Sequence, residues 1–199
     1  MHKLQCKCGS LRGQIQGTGT CSRVVCYCAD CRAFAKYLGC ADDVLDQHGG
    51  TEIVQLAQPR VVFTYGMQHL AELRLSAKGM LRWYAACCNT PIGNTLPERK
   101  ISFFGLIHSC LEHSKLEQDF GTHIALVNVD SAYGQPKPQP KGLPGTIWRF
   151  LLIVLSMRIT GGYRRSALFD DAGTLIVSPT ILSSEQLKQL KSTESLNKQ

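Results

Sequence analysis

Charge is scarce in this chain of 199 residues: Asp, Glu, Lys and Arg together make up 19% of it. Aromatic residues contribute 8%, with only two Trp. At 44% hydrophobic residues the chain can still build a core, so disorder of the whole is excluded. No run of about 18 uncharged apolar residues occurs, which excludes an ordinary membrane-spanning helix. The N-terminus, Met1-His2-Lys3-Leu4-Gln5-Cys6, lacks the apolar stretch of a secretory signal, so a cytoplasmic protein is expected. G-x-S-x-G, P-loop and Rossmann glycine patterns are all absent, and Gly17-Thr18-Gly19-Thr20 reads as a turn. None of the six histidines lies in an H-x-x-x-H pattern. His108 and His113 are five apart around Cys110, which is not helical ligand spacing, and His123 opens an expected strand. Surface or capping roles are expected for the histidines. No internal repeat is present.

Acidic residues are the scarcer sign, 15 against 22 basic, for a net charge of +7. The excess is uneven: residues 1–135 carry +2 and residues 136–199 carry +5. The larger part is therefore not a uniformly basic surface, and nucleic acid is not expected as a partner.

Short apolar or alternating runs dominate the first two-thirds. Lys3–Cys8, Leu11–Gln16, Arg23–Cys28, Thr51–Leu56, Arg60–Tyr65, His69–Leu75, Leu81–Ala85, Ile101–Ile107 and His123–Val129 read as strands. Asp30–Leu38 reads as one or two helical turns. Many strands and few helical patterns predict a mainly β domain over residues 1–135. Residues 136–145 hold four prolines and read as a stiff linker. Residues 146–199 form a C-terminal helical extension: an apolar helix over Thr146–Thr160, stopped by Gly161-Gly162, and a short polar helix over Ser183–Lys191. The final residues are expected to fray.

The ten cysteines carry the chemistry. In a reducing compartment clustered thiols bind metal or react rather than cross-link. Cys6-Lys7-Cys8 and Cys26-Tyr27-Cys28 are C-x-C pairs, and on a strand both thiols of such a pair face one way. Cys31 returns from the turn after Cys28. Three converging thiols suit a soft, tetrahedral Zn²⁺, and a vacant fourth position marks catalytic rather than structural zinc. Cys87-Cys88 adds one or two thiols from a turn. A redox pair, or plain burial, is the competing reading of each C-x-C. Cys21, Cys40 and Cys110 stand alone and read as packed thiols.

The blocks Cys6-Lys7-Cys8-Gly9-Ser10-Leu11-Arg12-Gly13, Cys26-Tyr27-Cys28-Ala29-Asp30-Cys31-Arg32 and Cys88-Asn89-Thr90-Pro91-Ile92-Gly93 resemble one family. It is the glutathione-dependent formaldehyde-activating enzyme (GFA) family, with its centromere-protein-V-like members. Thr64-Tyr65-Gly66 and His123-Ile124 fit more loosely, and the resemblance spans roughly Lys3 to Val129. It implies an Mss4-like, β-tent fold with two zinc sites. It assigns Cys26, Cys28 and Cys31 to the catalytic site, and Cys6, Cys8 and Cys88 to a structural one. The family has C-x-x-C-G-T-P where this chain has Ala85-Ala86-Cys87-Cys88-Asn89-Thr90-Pro91. Ala85 replaces the first Cys. Cys87 can substitute only if a turn or bulge re-aims it, since adjacent strand residues face opposite ways. One or two zinc ions per chain are expected accordingly. Asn89 replaces a Gly in what a left-handed turn would tolerate.

Two functions follow. The first is a carbon–sulfur lyase that makes or breaks adducts between a small thiol such as glutathione and a small aldehyde. Three thiolates leave the site formally −1, which weakens Lewis acidity and keeps a structural role open. The second is a non-catalytic zinc module whose tail makes the contacts. Residues 136–165 carry six basic and no acidic residues around Phe150-Leu151-Leu152-Ile153-Val154-Leu155. A helix apolar on nearly all sides must be covered. The β domain or a homodimer partner is the expected cover, with an anionic membrane surface next.

Overall fold

The computed structural model describes residues 1–192. In chain order its elements are β1 (His2–Gln5), β2 (Arg12–Ile15), β3 (Ser22–Cys26), α1 (Ala29–Tyr37), α2 (Ala41–Val44), β4 (Thr51–Ala57), β5 (Val61–Tyr65), β6 (Leu70–Arg74), β7 (Leu81–Ala85), β8 (Thr90–Thr95), β9 (Phe103–Ile107), α3 (Leu116–Phe120), β10 (Ile124–Val127), α4 (Leu143–Ile159), β11 (Thr180–Ile181) and α5 (Ser184–Ser192). The protein is mainly β with a C-terminal helix. Eight strands form one sheet in the order β10-β3-β4-β9-β8-β7-β6-β11, and three form a second in the order β1-β2-β5. Pairing is antiparallel except at the two edges of the large sheet, where β10 runs parallel to β3 and β11 to β6.

The core lies between these sheets. Trp83, Leu56, Leu81, Ile92, Phe104 and Leu106 are closed to solvent, each burial contributing about 2–3 kcal/mol. The Trp83 indole N–H, which would be costly unpaired there, donates to the Thr95 hydroxyl at 2.9 Å. The expected strands are present, most of them shortened. β8 was not expected, because its sequence, Thr90-Pro91-Ile92-Gly93-Asn94-Thr95, is poor in strand formers. Tertiary packing explains it. The register slips between Trp83 and Tyr84, opposite Pro91, so the missing proline N–H falls at an irregularity. A Cβ on Gly93 would meet the Gly105 carbonyl oxygen at 2.5 Å. Only glycine lets β8 and β9 approach so closely.

The C-terminal residues pack onto the β sheets. The backbone of Lys141 pairs with Leu126 in both directions. α4 starts at Leu143, three residues before the expected Thr146; Pro144 is tolerated because first-turn N–H groups lack partners anyway. The helix ends where expected, with Gly161 in a left-handed conformation. Its inner face covers the large sheet, and Phe150 meets Phe103 edge-on at 5.2 Å between centroids. Leu168 and Phe169 enter the main core, and β11 adds an edge strand to β6. α5 opens with a reciprocal cap, Gln186 N–H to Ser183 Oγ at 3.1 Å and Ser183 N–H to Gln186 Oε1 at 2.9 Å. Lys191 ties it to Asp30 on α1 at 2.6 Å. The expectation for the final residues concerns 193–199, outside the described residues. Burial of the apolar helix is only half met: α4 buries its inner face and leaves its outer face in solvent.

Candidate metal centres

Four thiols meet at one end of the core. β1 stops at Gln5, so Cys6 and Cys8 sit in a turn rather than on the expected strand face. The turn closes through Gly9 N–H to the Cys6 carbonyl at 2.9 Å and Cys6 N–H to the Leu11 carbonyl at 3.0 Å. Gly9 has φ +76°, which its lack of a Cβ permits. Cys87 and Cys88 come from the turn between β7 and β8, where Asn89 takes φ +54° as the sequence suggested. Thr90 joins the two turns: its hydroxyl accepts from the Lys7 N–H at 2.9 Å and lies 3.1 Å from Cys88 Sγ.

The sulfur–sulfur distances are 3.6 Å for Cys6–Cys8, 3.8 Å for Cys6–Cys87, 3.4 Å for Cys8–Cys87 and 3.8 Å for Cys87–Cys88. A tetrahedral ion with metal–sulfur bonds of about 2.3 Å needs edges of about 3.8 Å. All four sulfurs lie within 4.8 Å of one another, so the four thiols can hold one tetrahedral ion, Cys87 among them. Cys8 is lowered to about 6, first by the Ser10 hydroxyl and amide. Burial raises Cys6, while Cys88 is lowered against desolvation by Thr90 and the Cys8 backbone. The cluster thus favours some thiolate before any ion enters.

Cys26, Cys28 and Cys31 form the second cluster, all three sulfurs within 4.8 Å of one another. Cys26 ends β3, between β10 and β4. Cys28 is the N-cap of α1, its Sγ accepting the Cys31 N–H at 3.4 Å. Cys31 lies in the first helical turn, 3.3 Å from Cys28 sulfur to sulfur. A helix N-terminus favours negative charge, as a thiolate cluster requires. Cys26 is held far below the ordinary thiol range by hydrogen bonds from Cys28 and then Cys31; the same contacts raise those two.

A family model for DUF6151, a family of unknown function, matches residues 1–141, which contain both clusters. The chain belongs to the DUF6151 family. No curated protein matches it.

In this DUF6151 chain the two clusters differ in the number of thiols, four against three. The three-thiol cluster opens on a cavity of about 290 Å³. Around it stand Asp30, Gln55, Arg82, Asn94 and Asn128. Arg82 is buried and donates to Asn94 Oδ1 at 3.1 Å. Asn128, left-handed at φ +57°, donates from Nδ2 to Cys26 Sγ at 3.2 Å. Arg32, buried one residue past Cys31, donates to the Tyr27 carbonyl and stacks 4.5 Å from the Tyr133 ring. It thereby fixes the loop that carries the thiols. Sequence reasoning missed Asn128, Arg82 and Asn94. No motif marks them, because each comes to the cavity from a strand or strand end far along the chain.

The isolated cysteines behave as expected of packed thiols. Cys110 is buried with its thiol toward the Ile107 and Ile92 carbonyls, and Cys40 donates to the Ala35 carbonyl. Cys21 is half-buried. Neither cluster includes a histidine. His108 and His113 contact each other at 2.9 Å. His2 is no surface residue: it is buried, its Nε2 accepting the Glu112 N–H while Nδ1 donates to Asp119 at 2.7 Å.

Proposed function

We propose that this chain is a divergent relative of the glutathione-dependent formaldehyde-activating enzymes, built on an Mss4-like β-tent and holding two zinc ions. Cys6, Cys8, Cys87 and Cys88 would hold the structural ion, with all four positions filled by protein. Cys26, Cys28 and Cys31 would hold the other, with one position facing the cavity. The activity is that of a carbon–sulfur lyase acting on a small thiol of the glutathione kind and a small aldehyde. The observation that carries this reading is the contrast between four thiols, enough to fill every position of a tetrahedral ion, and three thiols beside a cavity, which leave one position open.

A zinc ion there would supply the positive charge that keeps an incoming thiol deprotonated at neutral pH. The chain's own residues do the rest. The thiol sulfur bonds to the aldehyde carbon, the carbonyl π bond opens, and the oxygen takes up the proton the thiol gave. The product is a hydroxyalkyl thioether, and the reverse releases the aldehyde. Arg82 and Asn94 offer donors on the cavity wall for a carboxylate or carbonyl of the thiol. Asn128 holds Cys26 as an acceptor, fixing its orientation. Free thiols in metal clusters suit the reducing cytoplasm, where we place the protein.

The test is adduct formation from glutathione and formaldehyde by zinc-loaded protein, followed by NMR against the uncatalysed background. Acceleration by the wild type and its loss in a folded Cys28→Ser variant are expected. A wild type no faster than background overturns the reading and leaves a zinc-binding module.

A further inference from the structure

α4 has two unlike faces. Thr146, Phe150, Ile153 and Met157 turn inward at the three- and four-residue spacing of a packed helix face. Trp148, Leu151, Leu152, Leu155 and Ile159 repeat that spacing on the opposite side, and Ile147 widens the stripe. These are not marginal exposures: Trp148 is 63% open to solvent, Leu155 56% and Ile159 76%. An apolar stripe of this length marks a docking surface rather than a tolerated exception.

Its surroundings select the occupant. At 3.6 residues per turn Arg149 and Arg158 fall on opposite flanks of the stripe, and both are exposed. Residues 136–165 contribute six basic and no acidic side chains. Along the Arg149 flank, at the start of α4, opens a cavity of about 530 Å³. His123, Lys141 and Arg149 line it, with Gly142 and Gly145 of the helix start, and no acidic residue does. Arg23 also reaches it, but its charge is taken up by Glu52 at 2.6 Å. First-turn N–H groups add partial positive charge there.

We propose that the outer face of α4 lies in the interface of an anionic phospholipid bilayer, with the basic cavity at its N-terminal end seating a lipid phosphate. Apolar side chains entering the acyl boundary between arginines whose stems snorkel outward are the pattern of an interfacial helix. The charge argues against a second copy, because pairing two such faces would bring basic flanks together without acidic partners. No helix among the described residues is long and apolar enough to cross a membrane. The inference is independent of the thiol clusters: α4 lies beyond the residues, 1–141, that match the family model.

The tryptophans make it testable with the full chain. Trp83 is fully buried, so acrylamide quenching reports on Trp148. Vesicles of phosphatidylcholine with about 30% phosphatidylserine should shift the emission to the blue, shield it from acrylamide and co-sediment the protein. Partitioning should fall about tenfold or more on vesicles of phosphatidylcholine alone and in about 0.5 M salt. Leu151→Gln with Leu155→Gln should abolish it, and Lys141→Gln with Arg149→Gln should weaken it; all four positions are exposed, so folding is spared. Failure to bind anionic vesicles overturns the proposal. So does equal binding to neutral ones, or a concentration-dependent doubling of mass that shields Trp148 without lipid.

Discussion

Cys8 Sγ lies 3.4 Å from Cys87 Sγ, although 79 residues separate them in the chain. The contact exists because β1 stops at Gln5, one residue before Cys6, and β7 ends at Ala85, two residues before Cys87, so both thiol pairs lie in turns. Together the turns supply four sulfurs at tetrahedral spacing.

Elemental analysis of protein purified without added metal should give about two zinc per chain. Cys87→Ser should lower that to about one and destabilise the fold, since the ligand it removes joins the two turns. Cys28→Ser should also lower it to about one but leave the melting temperature nearly unchanged. A Cys87 variant retaining two ions would show that Cys87 is not a ligand.

Gly66→Ala should damage the four-thiol site without touching it. Gly66 has φ +77°, and a Cβ there would stand 1.7 Å from the Ser10 carbonyl oxygen. Ser10 in turn hydrogen-bonds Cys8. Moving that backbone should cost about 3 kcal/mol or more. Chemical denaturation with a zinc-release assay checks it: stability and zinc retention should fall together.

Asn128→Gly should keep the left-handed backbone and remove the amide donated to Cys26. Zinc content should hold, while adduct formation falls about ten- to a hundredfold, the usual range for a group that orients a ligand. Asn128→Ala, strained at this φ, should lose stability as well. Equal rates in wild type and Asn128→Gly would remove the amide from the mechanism.

Glu72 sets a pH dependence. Burial lifts its carboxyl from 4.5 to about 7, with Arg74 opposing from 3.4 Å. The folded chain therefore keeps a proton that the unfolded chain has released. Stability should fall as pH rises from about 4.5 through about 7, and the penalty should persist above. Glu72→Gln should flatten this profile and stabilise the protein at pH 8 by about 1–2 kcal/mol. Urea melts at pH 5 and pH 8 give both quantities; an unchanged difference between them would show that another group sets it.

Strands with β-branched or alternating residues were legible because local pattern and tertiary demand agree, as in Leu81-Arg82-Trp83-Tyr84-Ala85. β8 was not legible: Pro91, Gly93 and Asn94 oppose a strand locally and are accepted only for a register slip and a close approach to β9. The Cys26-Tyr27-Cys28-Ala29-Asp30-Cys31 cluster was readable because its ligands lie within six residues, where a strand end followed by a helix start sets their positions. The role of Asn128, 102 residues from Cys26, was not.

The sequence by itself determined a mainly β chain, a local three-thiol cluster, and a tail that is both basic and apolar. Those are properties of composition and short-range spacing, which the backbone translates directly into geometry. Only the tertiary structure decided that Cys87 completes the four-thiol cluster, that α4, β11 and α5 close onto the main sheet, and that the stripe from Trp148 to Ile159 remains outside. Each of those depends on which distant segments meet, and the buried area of the whole chain settles that rather than any segment's own preference.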